Sequence, residues 1–193
     1  MTHTHLRIAL LGLLAVLIAA VALVMSSQED DPVASSTDRA FTAEMTPHHR
    51  SAVAMARTAL ERSTRPEIRL LAMDIIKSQD AEIGQMRAID ARLAADGAPK
   101  GRLGGGHGAM GMGEEAALET ADPIDRAFID LMIPHHQGAI QMARIQLAKG
   151  GDEETRELAE AVIAAQTREI KQMNAYRTAW YGAPSPAGGV PAA

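Results

Sequence analysis

The sequence predicts an all-α protein in which two repeated helical hairpins pack together as a four-helix bundle. An internal repeat and a helical spacing of apolar residues indicate this class, and the composition agrees. The 193 residues are 47% hydrophobic but only 3% aromatic, so good helix formers supply most of the apolar mass. The chain has no cysteine, which excludes disulfides, thiolate metal sites and a cysteine nucleophile. A net charge of −5 without a basic patch argues against nucleic acid as a partner.

The N-terminal region contains an apolar run, residues 8–25, without a charged or strongly polar side chain. The run is long for a cleavable signal peptide and just long enough to span a bilayer of about 30 Å as a helix. Arg7 precedes it and acidic residues follow it, a charge bias that places the rest of the chain outside the cytoplasm. We expect residues 1–34 to form a signal anchor in the cytoplasmic membrane, or a cleaved signal peptide, plus a linker.

Two segments of the chain repeat each other at an offset of 87 residues without a gap. The first begins Asp-Arg-Ala-Phe-Thr-Ala-Glu-Met-Thr-Pro-His-His at residue 38, and the second begins Asp-Arg-Ala-Phe-Ile-Asp-Leu-Met-Ile-Pro-His-His at residue 125. Each segment has apolar residues at helical spacing and a break near its middle, which predicts two antiparallel helices. One hairpin of this size cannot bury its own apolar stripe, so the two should pack as a four-helix bundle.

Local signals place the ends of the four predicted helices. Thr37 or Asp38 can cap the first helix, and Pro66 suits the first turn of the second. Pro47 and its copy Pro134 should kink the first and third helices or restart them locally. The predicted helices are 38–62, 66–96, 123–149 and 152–181, within hairpin repeats at 35–96 and 122–182.

Two further segments are expected to lie outside the bundle. Residues 97–121 are rich in glycine, which predicts a linker too flexible to pack. His107, Met110 and Met112 near its middle either bind copper weakly or are incidental. The Pro/Gly/Ala-rich residues 183–193 predict a disordered tail.

Histidines and methionines share one face of the first predicted helix and of its copy. His48 and His49 flank the centre of the apolar face, Met45 lies on that face, and Met55 lies beside His48. Methionine at helical spacing is more often core filler than ligand, but a histidine pair repeated in the same register favours a metal site. The candidate metal ligands are Met45, His48, His49 and Met55 and their repeat equivalents Met132, His135, His136 and Met142.

The second and fourth predicted helices carry a glutamine and a glutamate one turn apart in an otherwise apolar face. A buried carboxylate is costly unless it is paired or bound to a metal. We therefore expect Glu82 and Glu169 to be buried within hydrogen-bond or ligand distance of the histidine pairs, where they bind the metal or fix the histidine tautomer. The glutamines are more typical of hydrogen bonding than of ligation. Candidates for such supporting or direct contacts are Gln79, Glu82, Met86, Gln166, Glu169 and Met173.

The donor types indicate the metal. Thioether and imidazole together suit Cu(I) and tolerate Cu(II), whereas imidazole and carboxylate alone would suit zinc or iron. Copper is therefore the expected cofactor, with zinc or iron as alternatives. We expect each repeat to assemble its own site from the histidines, methionines, glutamate and glutamine on its two facing helices.

The pattern Phe-x-x-x-Met-x-x-His-His-x-x-Ala-x-x-Met-Ala, present at 41–56 and 128–143, resembles the motif of the bacterial domain of unknown function 305 family. The resemblance covers both repeats and is closest at 132–139. It implies a ferritin-like four-helix bundle in an exported or membrane-anchored protein, in a family with members that bind copper outside the cytoplasm and support copper resistance. The first copy departs from the pattern, since Arg50-Ser51 replaces Gln-Gly and Thr46 replaces Ile. The Arg50 charge is expected to weaken metal binding there.

These observations favour a metal-binding protein over an enzyme: an extracytoplasmic copper buffer or chaperone, membrane-anchored or secreted. A ferritin-like di-metal oxidase would need a Glu-x-x-His motif on each of two helices, and no glutamate lies three residues before a motif histidine. A structural or sensory bundle that binds no metal and responds to pH is a further alternative. The sequence leaves open a homodimer and the identity of any copper-delivery partner.

Overall fold

The computed structural model describes residues 34–104 and 114–192, and within those ranges the protein has five α-helices and no strand. Four of these helices correspond to the predicted ones, and their ends lie within two residues of the predicted ends. The fifth is a short helix in the segment between the repeats. The helices are α1 (Ser36–Arg62), α2 (Pro66–Ala95), α3 (Glu114–Thr120), α4 (Ile124–Lys149) and α5 (Glu153–Tyr181).

The long helices form two hairpins that pack against each other. Helix α1 packs along α2, and α4 packs along α5. The hairpins meet mainly through α1 and α4, with a lighter contact between α2 and α5. Each long helix therefore has two helical neighbours, the arrangement of a four-helix bundle. The predicted all-α fold of two repeated hairpins is confirmed.

Helix α1 differs from its prediction at its start and is continuous through its proline. Its N-cap is Ser35, whose hydroxyl accepts from the Thr37 backbone N–H, while the Asp38 carboxylate accepts from the Ser35 backbone N–H in a capping box. The predicted caps at Thr37 and Asp38 are therefore wrong, and Asp38 occupies the third helical position. The helix also continues through Pro47 without a restart. Pro47 and Ala43, four residues earlier, are both exposed, so water can satisfy the carbonyl that the proline leaves free.

The first residue of each repeat motif binds the interhelical connection of the other repeat. Asp38 accepts from the backbone N–H groups of Gly151 and Asp152, at 3.1 and 3.2 Å, in the connection between α4 and α5. Its copy Asp125 accepts from Ser63 Oγ at 2.5 Å and pairs with Arg65 at 3.2 Å, in the connection between α1 and α2. The two hairpins are thus joined by a reciprocal pair of aspartates.

We expect Asp38→Ala to lower the free energy of unfolding by about 3 kcal/mol, because several part-buried donors lose their acceptor. Although burial raises the pKa of Asp38, hydrogen bonds from Gln146, Ser35, Gly151 and Asp152 lower it below 3.8. A lowered folded pKa stabilises the protein above the unfolded pKa, and this contribution is lost as the pH falls through the folded pKa. Urea unfolding at pH 7 and near pH 3 measures both effects.

Asp125→Ala is the matched variant, because Asp125 is the equivalent of Asp38 in the second repeat. The Asp38→Ala protein should lose less stability than the parent between pH 7 and pH 3. An equal loss of stability in the Asp38→Ala protein and the parent would show that the hydrogen bonds to Asp38 do not favour its ionised carboxylate.

The segment between the repeats packs at both of its ends. Ala98 and Leu103 are 9% and 8% exposed, and Leu118 of α3 is fully buried in the core. Arg39 donates to the Ala98 carbonyl at 3.2 Å, which holds the first end against α1. The prediction that residues 97–121 are too flexible to pack is therefore wrong there, because a few apolar residues outweigh the glycine content. The candidate site at His107, Met110 and Met112 lies outside the described residues.

The predicted disorder of the tail is also wrong. Residues 183–192 lie against α4 and α5, and Ser185 is only 4% exposed. Side chains on the helices donate hydrogen bonds to the carbonyl groups of the tail. The tail composition predicts no such order, because the donors belong to other parts of the chain.

The predicted membrane span, residues 8–25, lies outside the described residues and stays a prediction. Among the helices that the structure describes, none is both long and apolar enough to cross a membrane.

Candidate metal centre

The four motif histidines meet where α1 packs against α4. The ring centroids of His48 and His135 are 3.7 Å apart, so the two repeats touch at these side chains. Within each repeat, the first histidine ring lies 6.4 to 6.5 Å from the second, His49 or His136. All four side chains are buried, with exposures of at most 2%. The histidines of the two repeats therefore lie in one shared cluster, whereas the number of metal sites stays a prediction.

Each second histidine is bound to a glutamate on the neighbouring helix of its own hairpin. His49 Nε2 lies 2.7 Å from Glu82 Oε2, and His136 Nε2 lies 2.6 Å from Glu169 Oε2. The predicted glutamate–histidine contact is present in both repeats. The glutamate side chains are 15% exposed, so they reach the surface rather than being fully buried as expected.

These contacts fix the histidine tautomer. A carboxylate only accepts hydrogen bonds, so the Nε2 atoms of His49 and His136 donate to the glutamates, and in the neutral ring the Nδ1 atom keeps a lone pair. In the part of the chain that the structure describes, neither Nδ1 atom has a hydrogen-bond partner, although both are buried. A buried acceptor without a partner is costly in a folded protein. A metal ion bound at these nitrogens would remove that cost.

The electrostatic environment keeps His135 neutral. Burial lowers the pKa of His135 well below its usual value, and the neighbouring His48, His136 and His49 lower it further. Neutral imidazole is the form that binds metals. A cation can therefore bind His135 at neutral pH without displacing a proton from it.

The candidate methionines form two groups, each shared by the two repeats. Six buried methionines belong to two separate core clusters, and each cluster takes two from one repeat and one from the other. Grouping the methionines by repeat, as the sequence suggests, is therefore wrong, because each cluster contains methionines from both repeats. Along both helices the histidines lie between the two methionine positions. One group is Met45, Met86 and Met142, and the other is Met55, Met132 and Met173.

The two glutamines are buried, but the hydrogen bonds expected of them are missing. Gln79 and Gln166 are each 2% exposed. Within the described ranges, neither side-chain amide atom of Gln79 has a hydrogen-bond partner, nor does Oε1 of Gln166. Their role as supporting or ligating residues stays a prediction.

The donor set fits copper better than zinc. Structural zinc takes four ligands in a tetrahedron. Among residues 34–104 and 114–192, no group of three or more histidine, aspartate or glutamate side chains is placed to hold a metal ion together. Cu(I) accepts fewer ligands than zinc and binds thioethers as well as imidazoles. Imidazole and thioether, the donor types of the buried histidines and methionines, are both types that Cu(I) accepts.

Comparison with known proteins agrees with the repeat and its motif. The model of a family described as domain of unknown function DUF305 matches residues 38–177, which begin at the first repeated residue and end within α5. The chain belongs to the DUF305 family. No curated protein matches the sequence.

Solved DUF305 structures share the fold of this chain. CopM in the Cu(I)-bound form is 38% identical, with a TM-score of 0.63 over 75% of this chain and 98% of CopM. CopM in the Cu(II)-bound form is 39% identical, with a TM-score of 0.65 over 75% and 97% of the two chains. A DUF305 protein from Streptomyces coelicolor, assigned as secreted, is 28% identical, with a TM-score of 0.65 over 77% and 94%.

Proposed function

We propose that this DUF305 protein binds copper outside the cytoplasm, as a buffer or chaperone that supports copper homeostasis or resistance. The observation that carries the proposal is the histidine centre shared by α1 and α4. It places buried imidazoles against each other and leaves the Nδ1 atoms of His49 and His136 without a described partner. Along α1 and α4 the histidines also lie between positions of buried methionines. Two similar chains, of CopM, have been solved with Cu(I) and Cu(II).

The proposed residues have distinct roles. The imidazoles of His48, His49, His135 and His136 would hold the ion, because their burial removes competing water. Glu82 and Glu169 would hold the rings of the second histidines in the tautomer that presents Nδ1 to the core. The methionine thioethers would favour Cu(I) over Zn(II), because sulfur is the softer donor.

We propose binding rather than catalysis. A di-metal oxidase needs several carboxylates that converge with histidines on two ions. Here each described glutamate of the centre contacts one histidine at its outer edge. A bundle without metal is disfavoured for a different reason, since it would bury the Nδ1 atoms of His49 and His136 with no hydrogen-bond partner among the described residues.

We also propose that the bundle works outside the cytoplasm. The apolar residues 8–25 and the charges on either side favour export, by a membrane anchor or as a secreted protein. The assignment of the similar Streptomyces coelicolor protein as secreted supports the same location.

A competition titration tests the function. The purified full chain is offered Cu(I), Zn(II) and Fe(II) in separate titrations against a chelator of known affinity for each ion. We expect Cu(I) to be held most tightly. Equal retention of zinc would overturn the copper assignment, and retention of none of the three would overturn metal binding.

The glutamates supply a second test. We expect Glu82→Gln combined with Glu169→Gln to lower the Cu(I) affinity by about 10- to 100-fold, because an amide can also donate and so stabilise the other histidine tautomer. The same titration measures the effect. Glu160→Gln, at an exposed position of α5, is the control and should change nothing. An unchanged affinity in the double variant would show that the glutamates do not orient the ligands.

A further inference from the structure

Two equivalent grooves, one in each hairpin, differ in what fills them. The groove between α4 and α5 holds the tail, residues 183–192, whereas the equivalent groove between α1 and α2 is an open cavity of about 280 Å³. The open groove is lined by Thr42, Ala43, Thr46, Arg50, Met86, Arg87, Asp90 and Ala91. The filled groove therefore shows what kind of segment the open one can take.

The tail is held by donors on the helices that bind its backbone carbonyls. Gln137 Nε2 donates to the carbonyls of residues 187 and 189, at 2.9 and 2.6 Å. Asn174 Nδ2 donates to the carbonyl of residue 188 at 2.7 Å, and Arg144 donates to that of residue 191 at 2.9 Å. These carbonyls lie in and just after a turn, in which the Gly188 N–H donates to the Ser185 carbonyl at 2.9 Å. A segment rich in proline and glycine forms such a turn readily.

The open groove has donors at three of the same repeat positions, but the charge of two of them is different. A fourth tail donor, Arg177, corresponds to Asp90, whose charge is paired with Arg39 at 2.9 Å. At the 87-residue offset, Gln137 corresponds to Arg50, Asn174 to Arg87 and Arg144 to Arg57. Two neutral amides are thus replaced by two guanidinium groups. Arg57 pairs loosely with Asp80, at 3.6 Å between exposed side chains. Arg50 and Arg87 are exposed and form no hydrogen bond or ion pair with any residue that the structure describes.

We propose that the groove between α1 and α2 is a docking site for an acidic, proline- or glycine-rich segment of another protein. The donors would bind its backbone as Gln137 and Asn174 bind the tail, and the added positive charge would pair with its carboxylates. Charge complementarity selects an acidic partner rather than the tail of a second copy, because residues 183–192 contain no carboxylate side chain. The inference does not depend on copper binding.

The groove also has a methionine, Met86, in its lining. Thr46 Oγ1 contacts its sulfur at 3.8 Å. Met86 lies one helical turn after Glu82, the residue bound to His49. A docked segment would therefore lie about one helical turn from the glutamate that binds His49.

Fluorescence anisotropy with two labelled peptides tests the proposal on the full chain. One peptide has the sequence of residues 183–192, and the other has it with Ala187→Asp and Gly189→Asp. This places carboxylates at the two residues that bind the equivalent of Arg50, on either side of the residue that binds the equivalent of Arg87. We expect the acidic peptide to bind at least about tenfold more tightly, although the chain itself is negatively charged. Binding should weaken as salt is raised.

Two protein variants identify the groove. Arg50→Gln with Arg87→Asn installs the residues of the filled groove and should lower the affinity for the acidic peptide by at least about tenfold. The control, Arg168→Gln with Lys171→Gln, removes the same charge from exposed positions of α5 and should have no effect. An equal loss of affinity for the acidic peptide in both variants would show non-specific attraction between the peptide and positive charges, and would overturn the proposal. Equal binding of the neutral peptide would assign the groove to the tail of a second copy, and no binding of either peptide would refute docking.

Discussion

Replacing His48 and His135 together with leucine is expected to lower the affinity for Cu(I) by more than about 100-fold. Loss of a residue that merely orients a ligand costs about 10- to 100-fold, so loss of two ligands should cost more. The bundle should stay folded, because leucine fills most of the volume of a buried neutral imidazole without a polar group to satisfy. A titration against a Cu(I) chelator measures the affinity, and thermal melts of the metal-free proteins show whether the fold is kept.

The two single variants distinguish a shared centre from two separate ones. If His48 and His135 serve one centre, as their 3.7 Å ring separation implies, either substitution alone should weaken all of the bound copper. If each repeat had its own site, a single substitution would remove about half of the copper and leave the rest at the parental affinity. The second outcome would support the arrangement suggested by the sequence and contradict a shared centre.

The helices could be predicted because their signals are local. Pro66 at the start of α2, Gly150 at the end of α4 and Asp152 before α5 act within one or two turns of their own positions. The 87-residue repeat then predicted two equal hairpins. Because each helix has one apolar stripe to bury, it also predicted that the two hairpins pack against each other. Ser35 was missed as the cap of α1 because four consecutive residues, all good N-caps, precede Arg39.

The shared centre could not be derived from periodicity, which shows which side chains share a helix face but not which helix that face meets. His48 and His49 are about 100° apart on α1, so one can contact α4 while the other contacts α2. The repeat itself held the missing signal. When two equal hairpins pack with approximate two-fold symmetry, a residue near the axis contacts its own copy, as His48 contacts His135.

The order of the tail and of the linker ends depends on distant residues. Gln137 and Asn174 hold the tail, yet nothing in residues 183–193 indicates that their carbonyls have donors elsewhere in the chain. Composition describes what a segment can do alone. It does not describe a groove that the rest of the fold supplies.

The core methionines give the second large expected effect. Changing Met45, Met86 and Met142 together to leucine is expected to weaken Cu(I) binding by about tenfold or more, while Zn(II) binding through the histidines changes little. The reason is donor softness, since thioether sulfur binds Cu(I) far better than zinc. Each Met→Leu change nearly conserves volume and should cost less than about 1.5 kcal/mol of packing. Parallel competition titrations for the two metals measure the difference, and thermal melts check the fold.

The packing also decides which methionines must be changed together. Met132 and Met142 belong to one repeat but to different core clusters, so changing those two would leave other methionines in both clusters. The second trio, Met55, Met132 and Met173, is the matched variant and should show the same selectivity, whereas the exposed Met73→Leu should show none. If all six leucines together leave Cu(I) as tightly bound as in the parent, the methionines only fill the core. Copper would then be held by imidazole alone, and imidazole does not distinguish Cu(I) from divalent metals strongly enough to sustain a copper-specific function.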